Sequence, residues 1–102
     1  MTNEKKVLTE PVVVEHPDYE SEIIKIIRGN YSPRAAQNKL EDYHGSDVAA
    51  VIEGLSRTER QKLYRICNAE MLAEAFEHLD EKEAVGYLEE MDIKKEAAVI
   101  SE

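Results

Sequence analysis

Cysteine is nearly missing from this chain, which has a single cysteine, Cys67, in 102 residues. One thiol excludes an internal disulfide and fits a reducing compartment. Cys67 lies at a position where neighbouring segments carry other apolar residues, so we expect it to pack in the core and to take no part in redox chemistry. A chain of this length forms one domain with a modest core.

Long hydrophobic runs are also missing. No segment approaches the roughly 18 to 20 consecutive apolar residues that span a bilayer, so we expect no direct membrane insertion. The first residues are charged and contain no apolar stretch ahead of a small-residue cleavage site, so we identify no secretion signal. These features favour a cytoplasmic location.

Glycine is sparse, with four residues that never cluster. Three of them, Gly29, Gly45 and Gly54, lie at or near expected helix ends. Phosphate loops and dinucleotide fingerprints need closely spaced glycines, and the sequence contains neither of these nor a nucleophile elbow. We therefore expect that the protein is not an enzyme.

Histidine is equally rare, and its three positions complete no familiar metal-binding pattern. His16 lies near the N-terminus without a partner, and we expect His44 to have a capping or turn role beside Gly45. His78 follows Glu74 by four residues, a spacing that could place both on one helical face around a metal ion. No second histidine or cysteine completes a zinc set, and the HExxH pattern is absent.

Positive charge is scarce in one part of the chain. The formal net charge is -9, and residues 68–92 contain nine acidic residues against one lysine, Lys82, which gives -8 for that stretch. An acidic surface repels phosphate backbones and anionic headgroups, so we expect no binding to nucleic acid. Cations or a basic partner surface would instead be attracted to this acidic stretch.

What the chain does contain is an internal repeat of twelve residues. Residue types that favour helix N-caps recur at this interval, each preceded by an apolar residue: Ser56, Asn68, Asp80 and Asp92. Five blocks start at residues 44, 56, 68, 80 and 92, and their eighth and ninth positions are all non-polar: Val51-Ile52, Leu63-Tyr64, Ala75-Phe76, Tyr87-Leu88 and Val99-Ile100. Helices of about eight to ten residues are marginal alone. We therefore expect apolar positions five, eight, nine and twelve of each block to hold neighbouring helices together.

Two further helices precede these blocks. Asp18 begins a helix that contains four isoleucines and ends at Gly29-Asn30, and Ser32-Pro33 begins another that runs to about Tyr43. Residues 1–17 show no helical period, and we interpret them as a mobile N-terminal leader. Residues 18–102 then form an all-α stack of about seven short helices, with exposed flanks of the kind that solenoid proteins use for binding. A closed helical bundle is the alternative.

The block at residues 68–79 carries the candidate binding face. Its large apolar residues share one side of the helix, whereas Glu70, Glu74 and Glu77 follow steps of four and three on the opposite flank. Like charges at these spacings each cost about 0.2–0.5 kcal/mol. A hydrated Mg²⁺, which takes one or two protein carboxylates, would relieve that repulsion. A solvated acidic face that aids solubility is the alternative interpretation.

Over about residues 18–102 the chain resembles the cytoplasmic N-terminal domain of the MgtE magnesium transporters. The family's His-Pro-x-Asp turn and the small apolar helix after it are similar to His44-Gly45-Ser46-Asp47 and residues 48–55. Its Ala-Ala-Glu-Val-Leu-x-x-Leu element is similar to residues 72–79, and residues 83–91 continue in phase. Short acidic, leucine-rich helices also occur in flagellar switch proteins of the FliG type, so a metal-free protein–protein scaffold is the alternative function.

The resemblance implies a right-handed superhelix of short helices with a regulatory role. In that family the domain precedes CBS domains and a dimeric transmembrane channel, and Mg²⁺ bound between acidic N-domain and CBS surfaces shuts the pore. The resemblance assigns Glu74 to that Mg²⁺ site, whereas Glu70 and Glu77 are added from helix geometry alone. The implied partners are the CBS and transmembrane domains of the same transporter, with weak Mg²⁺ binding at the shared interface and a homodimer only in the full-length protein.

Two departures from the family pattern bear on this interpretation. Gly45 stands where proline is usual, which removes a stiff entry into that helix. The chain stops at Glu102, before the family's last N-domain helices, so we expect the domain to be incomplete at its C-terminal end, either as an excised piece or as a shortened relative.

Overall fold

The computed structural model describes residues 18–102, and these residues form seven α-helices. In chain order they are α1 (Tyr19–Arg28), α2 (Pro33–Leu40), α3 (Gly45–Ile52), α4 (Arg57–Ile66), α5 (Ala69–Phe76), α6 (Glu81–Leu88) and α7 (Ile93–Ile100). Each helix has eight or ten residues. The all-α class and the shortness of the helices are confirmed, whereas the predicted leader, residues 1–17, lies outside the described residues.

From α2 onward, the helices begin at intervals of twelve residues. The N-cap residues are Ser32, His44, Ser56, Asn68, Asp80 and Asp92. All of these side chains except His44 accept a hydrogen bond from the backbone N–H three residues later, over 2.8–3.2 Å. At His44 the backbone N–H instead donates to Asp47 Oδ2 over 3.3 Å. Because the first turn otherwise leaves free N–H groups, these bonds fix where each short helix begins.

The helices are arranged in two rows. In one row α1, α3, α5 and α7 pack against one another in succession. In the other, α2 packs against α4, and both of these helices also contact α1. These contacts join helices that are close in sequence, as in a stacked array. The right-handed superhelical winding stays a prediction.

Repeat positions eight and nine supply much of the core. Position eight is buried in four units, at Val51, Leu63, Ala75 and Val99, and position nine is buried in three, at Ile52, Tyr64 and Phe76. The prediction is confirmed at these residues, and Tyr87 and Leu88 are half-buried. It is wrong for Ile100, which is 65% exposed. In the described part of the chain no later helix packs over the outer side of α7.

Repeat position twelve is buried at Leu55, Cys67 and Met91. Burial raises the pKa of the Cys67 thiol to about 12, so the thiol stays protonated and is a poor nucleophile. The predicted packing role of this cysteine is confirmed.

Repeat position five departs from the predicted apolar pattern. Val48 and Leu72 are buried there, but α4 has Arg60 and α7 has Glu96 at this position. The side chain of Arg60 is nevertheless only 16% exposed. A polar arrangement therefore replaces apolar packing on this side of α4.

The arrangement around Arg60 ties α4 to the segment that follows α6. Arg60 donates to the Glu90 carboxylate from Nε over 2.9 Å and from Nη2 over 2.7 Å. The Tyr64 hydroxyl donates to the same carboxylate over 2.8 Å, and the Gln61 side chain donates to the Glu90 carbonyl over 2.9 Å. The hydrogen bonds from Arg60 and, after it, Tyr64 lower the pKa of Glu90 and keep its carboxylate charged. We call Arg60, Gln61, Tyr64 and Glu90 the Glu90 latch.

Candidate functional site

Helix α5 presents the three glutamates that the sequence predicts as metal ligands. The Asn68 side chain caps the helix by accepting from the Met71 N–H over 2.8 Å. Glu70 and Glu74 lie within α5 and Glu77 is its C-cap residue, and all three are exposed. The opposite side of the helix is anchored in the core by Leu72, Ala75 and Phe76. We refer to Glu70, Glu74 and Glu77 as the α5 glutamates.

Within residues 18–102, no lysine or arginine pairs with the α5 glutamates. Among residues 18–102, the ion pairs join Arg28 to Glu59 and Arg60 to Glu90. The α5 glutamates instead line an open concavity of about 460 Å³, together with Met71, Ala73 and Glu102. Their charge is therefore not neutralised by ion pairs within residues 18–102.

The α5 glutamates do not form a metal cage on their own. Within the described residues, no group of three His, Cys, Asp or Glu side chains is arranged to hold a metal ion. Carboxylate oxygens are nonetheless suitable ligands for Mg²⁺, which commonly keeps several waters and takes only one or two carboxylates. The face thus fits a hydrated Mg²⁺ whose remaining ligands come from water or from another surface.

The backbone of Glu74 is held by a close contact with α3 that the sequence does not reveal. Gly45, the first residue of α3, is buried against Glu74, and a Cβ on Gly45 would lie 2.9 Å from the Glu74 carbonyl carbon and oxygen. No side chain fits in that space without a backbone shift. The glycine that departs from the family's turn pattern is therefore the residue that allows α3 to approach α5.

A second acidic group lies between α3 and α6, and sequence reasoning missed it. The side chain of Glu83, in the first turn of α6, lies beside that of Glu53, the C-cap residue of α3. This contact, together with burial and the nearby charge of Asp80, raises the pKa of Glu83 to about 7. Glu53 and Glu83 line an open concavity of about 500 Å³ that also includes Glu20 and His78. The proximity of Glu53 and Glu83 could not be predicted from the sequence because the two residues belong to different repeat units.

The structure places His78 apart from the α5 concavity. Glu74 and His78 line different concavities, although four residues separate them in the sequence. The reason is that α5 ends at Phe76, so helical spacing does not extend to His78. His44, in contrast, has the helix-start role expected of it.

Residues 43–102 match the model of the protein family described as the MgtE intracellular N domain. The chain belongs to the MgtE intracellular N domain family. Neither the curated proteins nor the solved structures with which the chain was compared give a match.

The region matched as an MgtE N domain coincides with the repeat. It begins one residue before the N-cap of α3 and continues through α7, so it includes Gly45 and the α5 glutamates. Helices α1 and α2 precede the matched region and continue the two rows. The resemblance first seen in the short sequence elements is therefore confirmed over most of the helical array.

Membership in the MgtE N domain family also indicates whether the chain is related to transporters or to enzymes. The family is one of transporter domains and is not a known enzyme family. Within residues 18–102 of this MgtE N domain, no helix combines the length and apolar character required to cross a bilayer.

Proposed function

We propose that this chain is a cytosolic regulatory domain of a magnesium transporter, which senses intracellular Mg²⁺ and gates the pore. Membership in the MgtE N domain family supplies the transporter context, and the family's description as intracellular supports the cytosolic side. The observation that carries the proposal is that the α5 glutamates are exposed and lack an ion-pair partner within residues 18–102.

The mechanism is electrostatic. The partner is an acidic surface of CBS domains in the same transporter, so that docking without a cation brings like charges together. A Mg²⁺ ion shared between the α5 glutamates and partner carboxylates replaces this repulsion with common coordination. Because the buried side of α5 and the Gly45 contact fix the helix, little backbone movement is needed to present the carboxylates. Docking then restrains the transmembrane domain that contains the pore.

Mg²⁺ binding to this chain alone should be weak, because one open face supplies few ligands and no cage. We expect dissociation constants of about 1 mM or weaker, as for open oxygen-ligand sites. An NMR titration with MgCl₂ should shift the amide signals of residues 70–77, and Glu74→Gln should reduce these shifts. Glu89→Gln is the matched control, since it removes the same charge from an exposed glutamate outside α5.

Three results would contradict this proposal in different ways. Micromolar affinity in the isolated chain would contradict the shared interface. Shifts centred away from α5 would contradict the choice of site, and equal effects of Glu74→Gln and Glu89→Gln would show a nonspecific charge effect.

The gating step requires a transporter chain that contains this domain. There, Glu74→Gln should raise the Mg²⁺ concentration that closes the pore by about tenfold, a typical size for coupling between two sites. Unchanged Mg²⁺-dependent closure would remove Glu74 from the site.

A further inference from the structure

The glycine at position 45 is required by space and not by backbone conformation. Gly45 is the first residue of α3, and its φ lies outside the left-handed region that favours glycine. The turn into α3 would therefore accept a residue with a side chain. The constraint on this position comes from α5, which packs against α3.

The part of α5 that lies over Gly45 includes a side chain as well as backbone. A Cβ on Gly45 would lie 2.8 Å from Cγ of Glu74, closer than it would lie to the Glu74 carbonyl group. A Cβ on Gly86, in contrast, would meet nothing within 4 Å. The stem of the Glu74 side chain therefore passes directly over the first residue of α3, so it cannot take every rotamer open to an exposed glutamate.

Glu74 also lines two concavities, one on each side of this contact. With Glu77 it lines the open concavity of about 460 Å³, and with Gly45 and Val48 of α3 it lines a smaller one of about 140 Å³. A glutamate on an open surface loses rotamer freedom when its carboxylate binds a metal ion. A side chain whose stem is already restrained loses less, and such preorganisation favours binding.

We propose that Gly45 is a positioning residue for Mg²⁺ binding: the space left by its missing side chain holds the stem of Glu74 in the orientation that the metal ion uses. The inference rests on the proposed function, because it assigns Gly45 a role in the same site. A methyl group at position 45 would displace the Glu74 stem, or α5 with it, and would leave the charge of the α5 glutamates unchanged. Its effect on Mg²⁺ binding is therefore geometric.

The first measurement needs neither a metal ion nor a variant. In magnesium-free buffer, NMR couplings that depend on χ1 should show one dominant rotamer for Glu74 and rotamer averaging for the exposed Glu77. Nuclear Overhauser effects should connect the Gly45 Hα protons to the Glu74 Hγ protons. Averaged couplings at Glu74 in the wild type would overturn the inference.

The second measurement compares Mg²⁺ affinity at constant ionic strength in the wild type, Gly45→Ala and Gly86→Ala, each shown by its amide spectrum to be folded. From the shifts of residues 70–77, Gly45→Ala should bind about tenfold more weakly, as when residues that orient metal ligands are replaced. Gly86→Ala is the matched control, since it adds the same methyl group to a helix where there is room for it, and it should keep the wild-type affinity.

A double variant separates positioning of Glu74 from a general loosening of α5. If Gly45 acts through Glu74, adding Gly45→Ala to Glu74→Gln should weaken the remaining binding by no more than about twofold. A loss as large as in the Gly45→Ala single variant would show that the whole face is disturbed.

The outcomes distinguish this inference from the proposed function. Wild-type affinity in Gly45→Ala, or a full further loss in the double variant, would overturn the role of Gly45 and leave the proposed function standing. Absence of Mg²⁺-dependent shifts in the wild type would contradict the proposed function, and the inference with it.

Discussion

Gly45 and Gly86 show how far the effect of one residue depends on what it touches. A Cβ on Gly45 would lie 2.9 Å from the Glu74 backbone, whereas a Cβ on Gly86 would meet nothing within 4 Å. Both residues lie within helices, so helix propensity alone favours alanine at both positions. Only the packing environment separates them.

We therefore predict opposite effects of the same substitution. Gly45→Ala should lower the free energy of unfolding by about 1–3 kcal/mol through overpacking against α5. Gly86→Ala should raise it by about 0.4–1 kcal/mol, because alanine suits a helix interior and restricts the unfolded chain. Urea unfolding of the two variants beside the wild type measures both values. An unchanged free energy of unfolding in Gly45→Ala would mean that α3 can move away from Glu74 at no cost.

The Glu90 latch shows where reasoning from residue type fails. Arg60 has the helix position of an apolar core residue, and the repeat predicts burial without indicating what would satisfy its guanidinium. The partner of the guanidinium is the carboxylate of Glu90, thirty residues later in the chain. Such a pairing depends on how two repeat units stack, and no local pattern encodes it.

Each helix in this array depends on the hydrogen bonds at its first turn. At α4, Ser56 Oγ accepts from the Glu59 N–H over 3.1 Å, and the Glu59 carboxylate accepts from the Ser56 N–H over 3.0 Å. This is a reciprocal capping box, with the Ser-x-x-Glu spacing typical of that motif. Because α4 has only ten residues, one unsatisfied turn is a large fraction of the helix.

Removing this cap should destabilise the domain. We predict that Ser56→Ala lowers the free energy of unfolding by about 1 kcal/mol, since the first-turn N–H groups lose their acceptor. Ser56→Asn is the conservative control, because asparagine caps helices about as well as serine, and it should stay close to wild type. Thermal unfolding followed by circular dichroism distinguishes the two. Equal destabilisation by both substitutions would show that Ser56 acts through packing.

The sequence allowed the helices to be predicted because their signals are local. Cap residues and apolar positions eight and nine lie within one unit, and the structure agrees with them at most places. The contacts that shape the candidate site join different units: Gly45 with Glu74, and Glu53 with Glu83. Exposure of the α5 glutamates could be predicted from helix periodicity, but the concavities that they and His78 line could not.

Across the molecule as a whole, electrostatic repulsion opposes folding. The chain has a formal net charge of -9. The pairs Arg28–Glu59 and Arg60–Glu90 provide the ion-pair attraction within residues 18–102. The Arg60–Glu90 pair is largely shielded from solvent, with side chains 16% and 15% exposed, so salt screens it less than it screens surface repulsion.

Salt should therefore stabilise the protein. Raising NaCl from about 0.01 M to about 0.15 M shortens the Debye length from about 30 Å to about 8 Å and screens the acidic surface. We expect Tm to rise by a few degrees, as about 1 kcal/mol corresponds to about 4–8 °C in a domain of this size. Scanning calorimetry at both salt concentrations measures the shift. A lower Tm in high salt would show that attractive pairs dominate.

The regular interval between helix caps has a consequence for how such a protein can change in length. Helices α1, α3, α5 and α7 form one row and α2 packs against α4 in the other, so inserting one unit of twelve residues would move the helices after it to the wrong row. Tandem duplication or loss of two units, twenty-four residues, would keep both the cap interval and the row of each helix. Viable length variants of this chain should therefore differ by pairs of helices, with single-helix indels selected against.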